Sequence, residues 1–538
     1  REESVMPSDS VVSALLKACA KLKDVESGRQ IHAHIDGTRS LESNAFVGTS
    51  LMDMYSKCGM IDQVRDVFDK ISVRDVVSWN ALIAGYGLHD RYQEALECFQ
   101  HMQCQGIIPD EVSFACSLKA CGNIGAVAIA KCQNLHAEIE MNGMLKTSQN
   151  VGNALVDMYA KCGSLEKAKE VFDLLPVRDI VSWNALICGC VQHEQGEEAL
   201  NQFKKMQLQG ISGDDVTYAC ILKACGCIRS TNKGEEIHFD AERKGLLKTS
   251  QLVGNALVDM YSKCGMLTKA KAVFDKLPLC DTVTWNTLIT GYVHCEHDEE
   301  ALNAFEQMQR QRISPNSVTF ACTLKACASI GAIEKGREIH AKIEEMGMLK
   351  RNQVVGNALV DLYAKCGVLE KAREVFDMLP ARNIVSWNVL ITGYGQVGEI
   401  ENVFSVFDQM RRNGILPNPV TFLVVLNACS HTGMVDKGQT YCEAMTGNYG
   451  IYPLVGHQIC MVDLFSRAGQ LDEAVELVKK TPSHPSTVMW LTMLGACRNW
   501  GNVELGKQAF EETMSLDESH VTAYVSMYNI YADADVVL

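Results

Sequence analysis

Asparagine returns at one fixed place along this chain of 538 residues, as Asn80, Asn153, Asn184, Asn255, Asn286, Asn357 and Asn388, with Thr49 in the equivalent place ahead of them. A second series follows, 26 or 30 residues after each: Asp75 after Thr49, then Asp110, Asp179, Asp214, Asp281, Asn316, Asn383 and Asn418. An amide carries N–H donors and a carbonyl acceptor, whereas a carboxylate only accepts. A position that alternates between Asp and Asn while its surroundings barely change keeps its shape and varies only charge and donor capacity. That suits hydrogen-bond recognition of a planar polar edge better than it suits packing. Asparagine near a helix start can also cap the backbone, and for the first series alone the two readings stand level.

Other candidate chemistry is weaker. His136-Ala137-Glu138 matches half of the His-x-Glu and Cys-x-x-Cys signature of zinc deaminases. Its counterparts are His32-Ala33-His34, His238-Phe239-Asp240 and His340-Ala341-Lys342, so it reads as a variant of a structural slot. No Cys-x-x-Cys occurs, and Cys116 with Cys121, five apart, lie roughly 140° round a helix from each other. No catalysis, metal or cofactor is expected. Of the 23 cysteines, nine recur in two slots, Cys19, Cys121, Cys225, Cys327 and Cys429 in Ala-Cys after a leucine, and Cys58, Cys162, Cys264 and Cys366 in Lys-Cys-Gly. Such recurrence reads as small buried apolar side chains in a reducing compartment.

The elements that carry these residues show as repeats. Trp79-Asn80 returns as Trp183-Asn184, Trp285-Asn286 and Trp387-Asn388, a period of 104 and then 102 residues, and such a period must be read before any domain assignment. Within each period Leu155, Met158, Tyr159 and Cys162 fall at helical spacing, Gly163 supplies a stop, and Leu165, Ala168, Phe172 and Leu175 form a second stripe. This is a helical hairpin, which must stack on neighbours to bury its stripes. Three kinds of unit alternate. Long ones cover 9–44, 111–148, 215–250 and 317–352, 31-residue ones 45–75, 149–179, 251–281 and 353–383, and 35-residue ones 76–110, 180–214, 282–316 and 384–418. Residues 1–8 read as a leader, 419–485 as a variant long and short pair, and the text changes again over 486–519 and 520–538.

Net charge is −15, which argues against nonspecific nucleic-acid binding because phosphate neutralisation supplies much of that affinity. A solenoid can segregate charge between faces, so the argument lowers the expectation without closing it. No apolar run approaches the roughly 20 residues a spanning helix needs, and no membrane partner is expected. Position 1 is Arg, so the chain reads as a fragment or mature form with any targeting peptide out of view.

The alternation of hairpins with WNALI, GNALVDMYAKCG and LKAC cores resembles the plant pentatricopeptide repeat family, of the subclass that alternates long, short and 35-residue repeats, and residues 486–538 resemble its E motifs. The resemblance implies an all-α, right-handed superhelical solenoid in a chloroplast or mitochondrion, expected as a monomer. It would bind single-stranded RNA one base per repeat and select sites for C-to-U editing, without cofactors of its own. A DYW-type cytidine deaminase, in cis beyond residue 538 or in trans, and other editing factors would be its partners. Position five and the last position of the 31- and 35-residue units, the sixteen residues opening this section, would read the base. Val77, Val181, Val283 and Val385 at position two would sandwich it, with Phe46, Asn150, Leu252 and Val354 less uniform in the short units. Thr/Asp reads G, Asn/Asp favours U and Asn/Asn favours C, giving 5′-GUnUUnUCnCC-3′. Long units, with Ser13, Ala115, Ala219, Ala321 and Leu423 at position five, leave n unread, and Ile459 and Leu491 weaken the terminal variants, where Trp490 packs. The alternative is a protein-binding α-solenoid scaffold, for which one kind of unit and an unpatterned polar face would be expected.

Overall fold

The computed structural model describes residues 8–38, 45–480, 486–517 and 520–533. Most of the expected leader and the ends of the 455–485 and 520–538 segments lie outside the described residues. Every regular element among those described is helical, so the fold is an all-α solenoid of hairpins, and the chain divides into two compact units, Arg1–Cys280 and Asp281–Leu538.

In the first unit the sequence stripes become the hairpin interior. Gln149–Lys161 buries Leu155, Met158 and Tyr159, Gly163 takes φ +81° to end the turn, and Leu165–Leu174 returns with Ala168, Val171 and Phe172 buried. First helices stack on the first helices of the following hairpins. Phe172 meets the edge of Trp183 at 4.6 Å between ring centres, and Gly189 lets that helix close on its neighbour, since a Cβ there would sit 2.3 Å from that of Ala160. The helical run Glu111–Met141 is long and apolar enough to cross a membrane by composition, yet Phe114, Leu118 and Cys121 are fully buried in the stack.

The second unit repeats the plan. Phe376 meets Trp387 at 4.8 Å, and a Cβ on Gly393 would sit 2.4 Å from that of Ala364. Its last hairpins, Thr487–Trp500 with Val503–Leu516 followed by Val521–Asp533, share a core in which Trp490 is 3% exposed.

One difference between unit types matters below. The second helix of every 31-residue unit has 10 residues, and that of every 35-residue unit has 13. Cysteine behaves less uniformly than its two slots imply. Cys121, Cys225, Cys327 and Cys429 are fully buried, but Cys58, Cys264 and Cys366 are only half-buried at helix ends. The expectation of a reducing compartment with free thiols fails at one pair, the disulfide Cys188–Cys220. Cys220 recurs as Cys116 and Cys322, whereas Cys188 has no counterpart; the two meet because successive first helices bring their Cα atoms to 5.6 Å.

Candidate nucleic-acid interface

Position two and position five lie three residues apart at the start of each first helix, hence on one face. That face is open. Val77, Val181, Val283 and Val385 are 50–60% exposed, unusual for isolated β-branched side chains in so regular a column. The same place in the long units holds Val112, Val216, Val318 and Val420, also exposed, which the sequence reading passed over. In the short units Phe46, Leu252 and Val354 are exposed as well.

The last residue of each unit caps the next helix. Asp75, Asp110, Asp179, Asp214, Asp281, Asn316, Asn383 and Asn418 all accept through Oδ1 from the backbone N–H three residues on. The capping role weighed for the asparagine series therefore belongs to its partners. The asparagines sit inside the helix instead, with Asn80, Asn153 and Asn286 buried and Asn184, Asn255, Asn357 and Asn388 partly so.

In all four 35-residue units the two series meet. Asn80 Nδ2 donates to Asp110 Oδ1 at 2.9 Å, and Asn184–Asp214, Asn286–Asn316 and Asn388–Asn418 do the same at 3.0 Å. A third group closes each network: Ser113, Thr217, Thr319 and Thr421, at position three of the following long unit, donate to the asparagine Oδ1 at 2.6 Å. The same hydroxyl accepts from the capping residue's own N–H, which completes a reciprocal capping box. The recurring Asp/Asn-x-x-Ser/Thr was the sequence signal for it. Every protein bond to the capping side chain goes to Oδ1. Its second atom is thus left over: a carboxylate oxygen on Asp110 and Asp214, an amide NH₂ on Asn316 and Asn418.

Burial pushes the carboxyl of Asp110 up, but the Ser113 N–H, the Asn80 amide and the Ser113 hydroxyl more than offset it and leave it below its ordinary value. Asp214 is held down in the same way against burial by Thr217 and Asn184. Both are anions at neutral pH.

The 31-residue units differ. Asn153 reaches both oxygens of Asp179 at 3.2 and 3.3 Å, and its Oδ1 takes a bond from Gln149 in its own helix. Thr49 turns back to the Phe46 carbonyl, and no hydrogen bond joins it to Asp75 among the described residues. Asn357 is likewise not joined to Asn383, and Oδ1 of Asn357 and of Asn255 is shielded from solvent with no hydrogen-bond partner. Asn255 lies within the first compact unit, and Asp281 opens the second. The hydroxyl three residues past the cap turns elsewhere, that of Ser78 and Ser182 to the cap's carbonyl.

Exposed lysines line the same face. Lys119, Lys223 and Lys325 lie seven residues past the exposed valines of the long units, two helical turns along. Lys57, Lys161, Lys263 and Lys365 lie further along the short-unit helices in 2.7–2.8 Å ion pairs with Asp53, Asp157, Asp259 and Asp361. At position five the long units carry no amide, and Ser13 there bonds to the buried Ser50 hydroxyl.

The deaminase-like residues are structural. His136 Nδ1 bonds to the Tyr159 hydroxyl at 3.0 Å and Glu138 accepts from Gln103, and His32, His238 and His340 make the same tyrosine contact at 2.8 Å. Among the described residues no cluster of three His, Cys, Asp or Glu could hold a metal.

Residues 74–123, 178–227, 281–329 and 382–431 match the PPR repeat family, and 49–76, 153–180, 255–280, 357–384 and 460–483 match the single PPR repeat. The chain belongs to the pentatricopeptide repeat family. A mitochondrial pentatricopeptide repeat-containing protein of Arabidopsis thaliana is 33% identical over 97% of this chain and 93% of its own length. A second mitochondrial one is 35% identical over 97% and 75%, and a chloroplastic one 37% identical over 99% of this chain but only 61% of its own length. These locations agree with the organelles the resemblance implies. In structure, this pentatricopeptide repeat protein is similar to PPR10 in complex with an 18-nucleotide psaJ RNA element, with a TM-score of 0.59, 17% identity, and coverage of 99% of this chain and 83% of that one.

Proposed function

We propose that this chain binds single-stranded RNA of a chloroplast or mitochondrion and reads one base with each 31- and 35-residue repeat. The observation that carries the reading is the leftover atom of the capping residue. Because the cap always consumes Oδ1, exchanging Asp for Asn changes only what faces the groove, from acceptor to donor. Uracil presents an N3–H donor on its Watson–Crick edge and cytosine a bare N3 acceptor, so Asp110 and Asp214 suit U while Asn316 and Asn418 suit C. Position five supplies the remaining amide N–H and lone pair. Exposed valines above and below each reading pair of the 35-residue repeats form the walls of a base slot, and a stacked base contributes roughly 1–3 kcal/mol. The charge objection is met locally. Lys119, Lys223 and Lys325, in no ion pair among the described residues, lie on the reading face, and the short-unit lysines can exchange their half-buried Asp partners for phosphates.

In this reading residues 9–418 are the alternating array and 419–485 its variant end, 486–538 are E-type motifs, and the RNA is 5′-GUnUUnUCnCC-3′. The family's editing role follows as a further step: the bound chain sets one cytidine before a DYW-type deaminase acting in cis or in trans.

The experiment is a single exchange. Asn316→Asp should move preference at the eighth nucleotide from C to U by about tenfold, read by competition binding of the two oligonucleotides, with no change at the other positions. Unchanged preference would sink the register and with it the base-reading role.

A further inference from the structure

We infer that Ser113, Thr217, Thr319 and Thr421 are specificity-determining positioning residues, each fixing the amide of the preceding 35-residue repeat so that its base choice is sharper than that of a 31-residue repeat. The inference rests on the base-reading function proposed above and adds a third residue, contributed by the next repeat, to each reading pair.

An asparagine amide has four hydrogen-bonding sites, two on nitrogen and two lone pairs on oxygen. In the 35-residue repeats one site at each end is tied down, the N–H by the capping residue and the carbonyl by the long-unit hydroxyl at 2.6 Å. One donor and one acceptor remain, and rotation of the amide about its last side-chain torsion would break two bonds at once. The plane offered to the base is therefore set before RNA arrives, and preorganisation of this kind raises discrimination because a wrong base meets a fixed unmatched group. These hydroxyls are themselves positioned, since each also accepts from the cap's N–H.

The molecule contains its own control. Ser182 occupies the same third position after the Asp179 cap, is equally buried, and donates to the Asp179 carbonyl without touching Asn153. Both serines serve the start of a helix; only Ser113 serves an amide. The Asn153 carbonyl is held by Gln149 of its own helix rather than by a hydroxyl of the next repeat, and the Asn255 and Asn357 carbonyls are held by nothing. Such an amide can turn to suit either pyrimidine.

The test compares Ser113→Ala with Ser182→Ala in the full chain, measuring the U-to-C preference at the second and fourth nucleotides of the proposed RNA together with the melting temperature. Ser113→Ala should lower the preference at the second nucleotide by about three- to tenfold, the weight of one hydrogen bond. Ser113→Thr should restore it, as threonine does this work in the other three repeats. Ser182→Ala should leave the preference at the fourth nucleotide within twofold, whatever either variant does to melting. An unaltered preference in Ser113→Ala, or an equal loss in both variants, overturns the inference. Asn80→Ala separates the two levels: if it abolishes the preference while Ser113→Ala does not, the hydroxyl's role alone fails, and if Asn80→Ala also changes nothing, base reading fails with it.

Discussion

The joint that follows a 35-residue repeat and the joint that follows a 31-residue repeat are built from nearly the same side chains: an asparagine at position five (Thr49 in the first short repeat), an Asp or Asn cap, a Ser or Thr three residues beyond. At the first joint they close into a network in all four cases; at the second, among the described residues of the first unit, Asn153 pairs with Asp179 while Thr49 does not reach Asp75. Residue type therefore does not decide the outcome. The second helix does, because its 13 residues rather than 10 separate asparagine from cap by 30 positions rather than 26 and present the cap differently. The first kind of joint is stitched further along as well, by the Cys188–Cys220 disulfide in one repeat and by the 3.3 Å contact of Thr290 with Cys322 in another. A strict reader and a permissive one can thus alternate along one chain without any change in the letters of the code.

Removing the covalent stitch should have the largest effect. The disulfide closes a loop of 32 residues, and restricting that loop in the unfolded chain is worth about 3–4 kcal/mol. Reductant should lower the melting temperature of the wild-type protein and leave Cys188→Ser, already lowered, where it is. A wild-type melt indifferent to reductant would mean that the two kinds of joint differ only in their hydrogen bonds.

Next in size is the amide itself. Asn184→Ala removes a group held at both ends and facing the base, and should weaken binding of the proposed RNA by about 1–3 kcal/mol, roughly 5- to 150-fold. Asn357→Ala removes an amide with an unheld carbonyl and should cost about threefold or less, because part of the loss is recovered by relieving a buried unsatisfied oxygen. Anisotropy titrations of both variants against one oligonucleotide decide the matter, and equal losses would erase the distinction between strict and permissive repeats.

How far this was legible beforehand follows the same line. The hairpins, their stripes and the buried Trp79, Trp183 and Trp387 follow from helical spacing, which depends only on local geometry. Asn80 and Asp110 could be singled out as a recurrent pair, but not that Asp110 also caps, nor that its Oδ1 is spent on the cap so that Oδ2 alone is free. That needs the angle at which one hairpin meets the next. Ser113 stood in plain view at the third place after Asp110, and Ser182 in the same place after Asp179; nothing local tells them apart. Lys119 went unnoticed because net charge is a sum over all faces. Cys188 and Cys220, 32 residues apart, are joined only by stacking.

The smallest effect separates the joints by titration. The carboxyl of Asp110 is held below its ordinary value despite burial, by the Ser113 N–H, the Asn80 amide and the Ser113 hydroxyl. A depressed value in the folded state means that the unfolded chain binds the proton more readily, so the stability this group contributes is complete above the ordinary carboxylate range and is lost as pH falls through the folded value. Carboxyl carbon shifts followed by NMR should place the Asp110 and Asp214 transitions below that range. Asn80→Ala should move the Asp110 transition upward, since a charge-assisted donor is gone while burial remains, and should leave Asp214, three repeats away, unmoved. Should Asp110 stay put in the variant, the amide would not be donating to it in solution, and the closed network that distinguishes the 35-residue joint would lose its first bond.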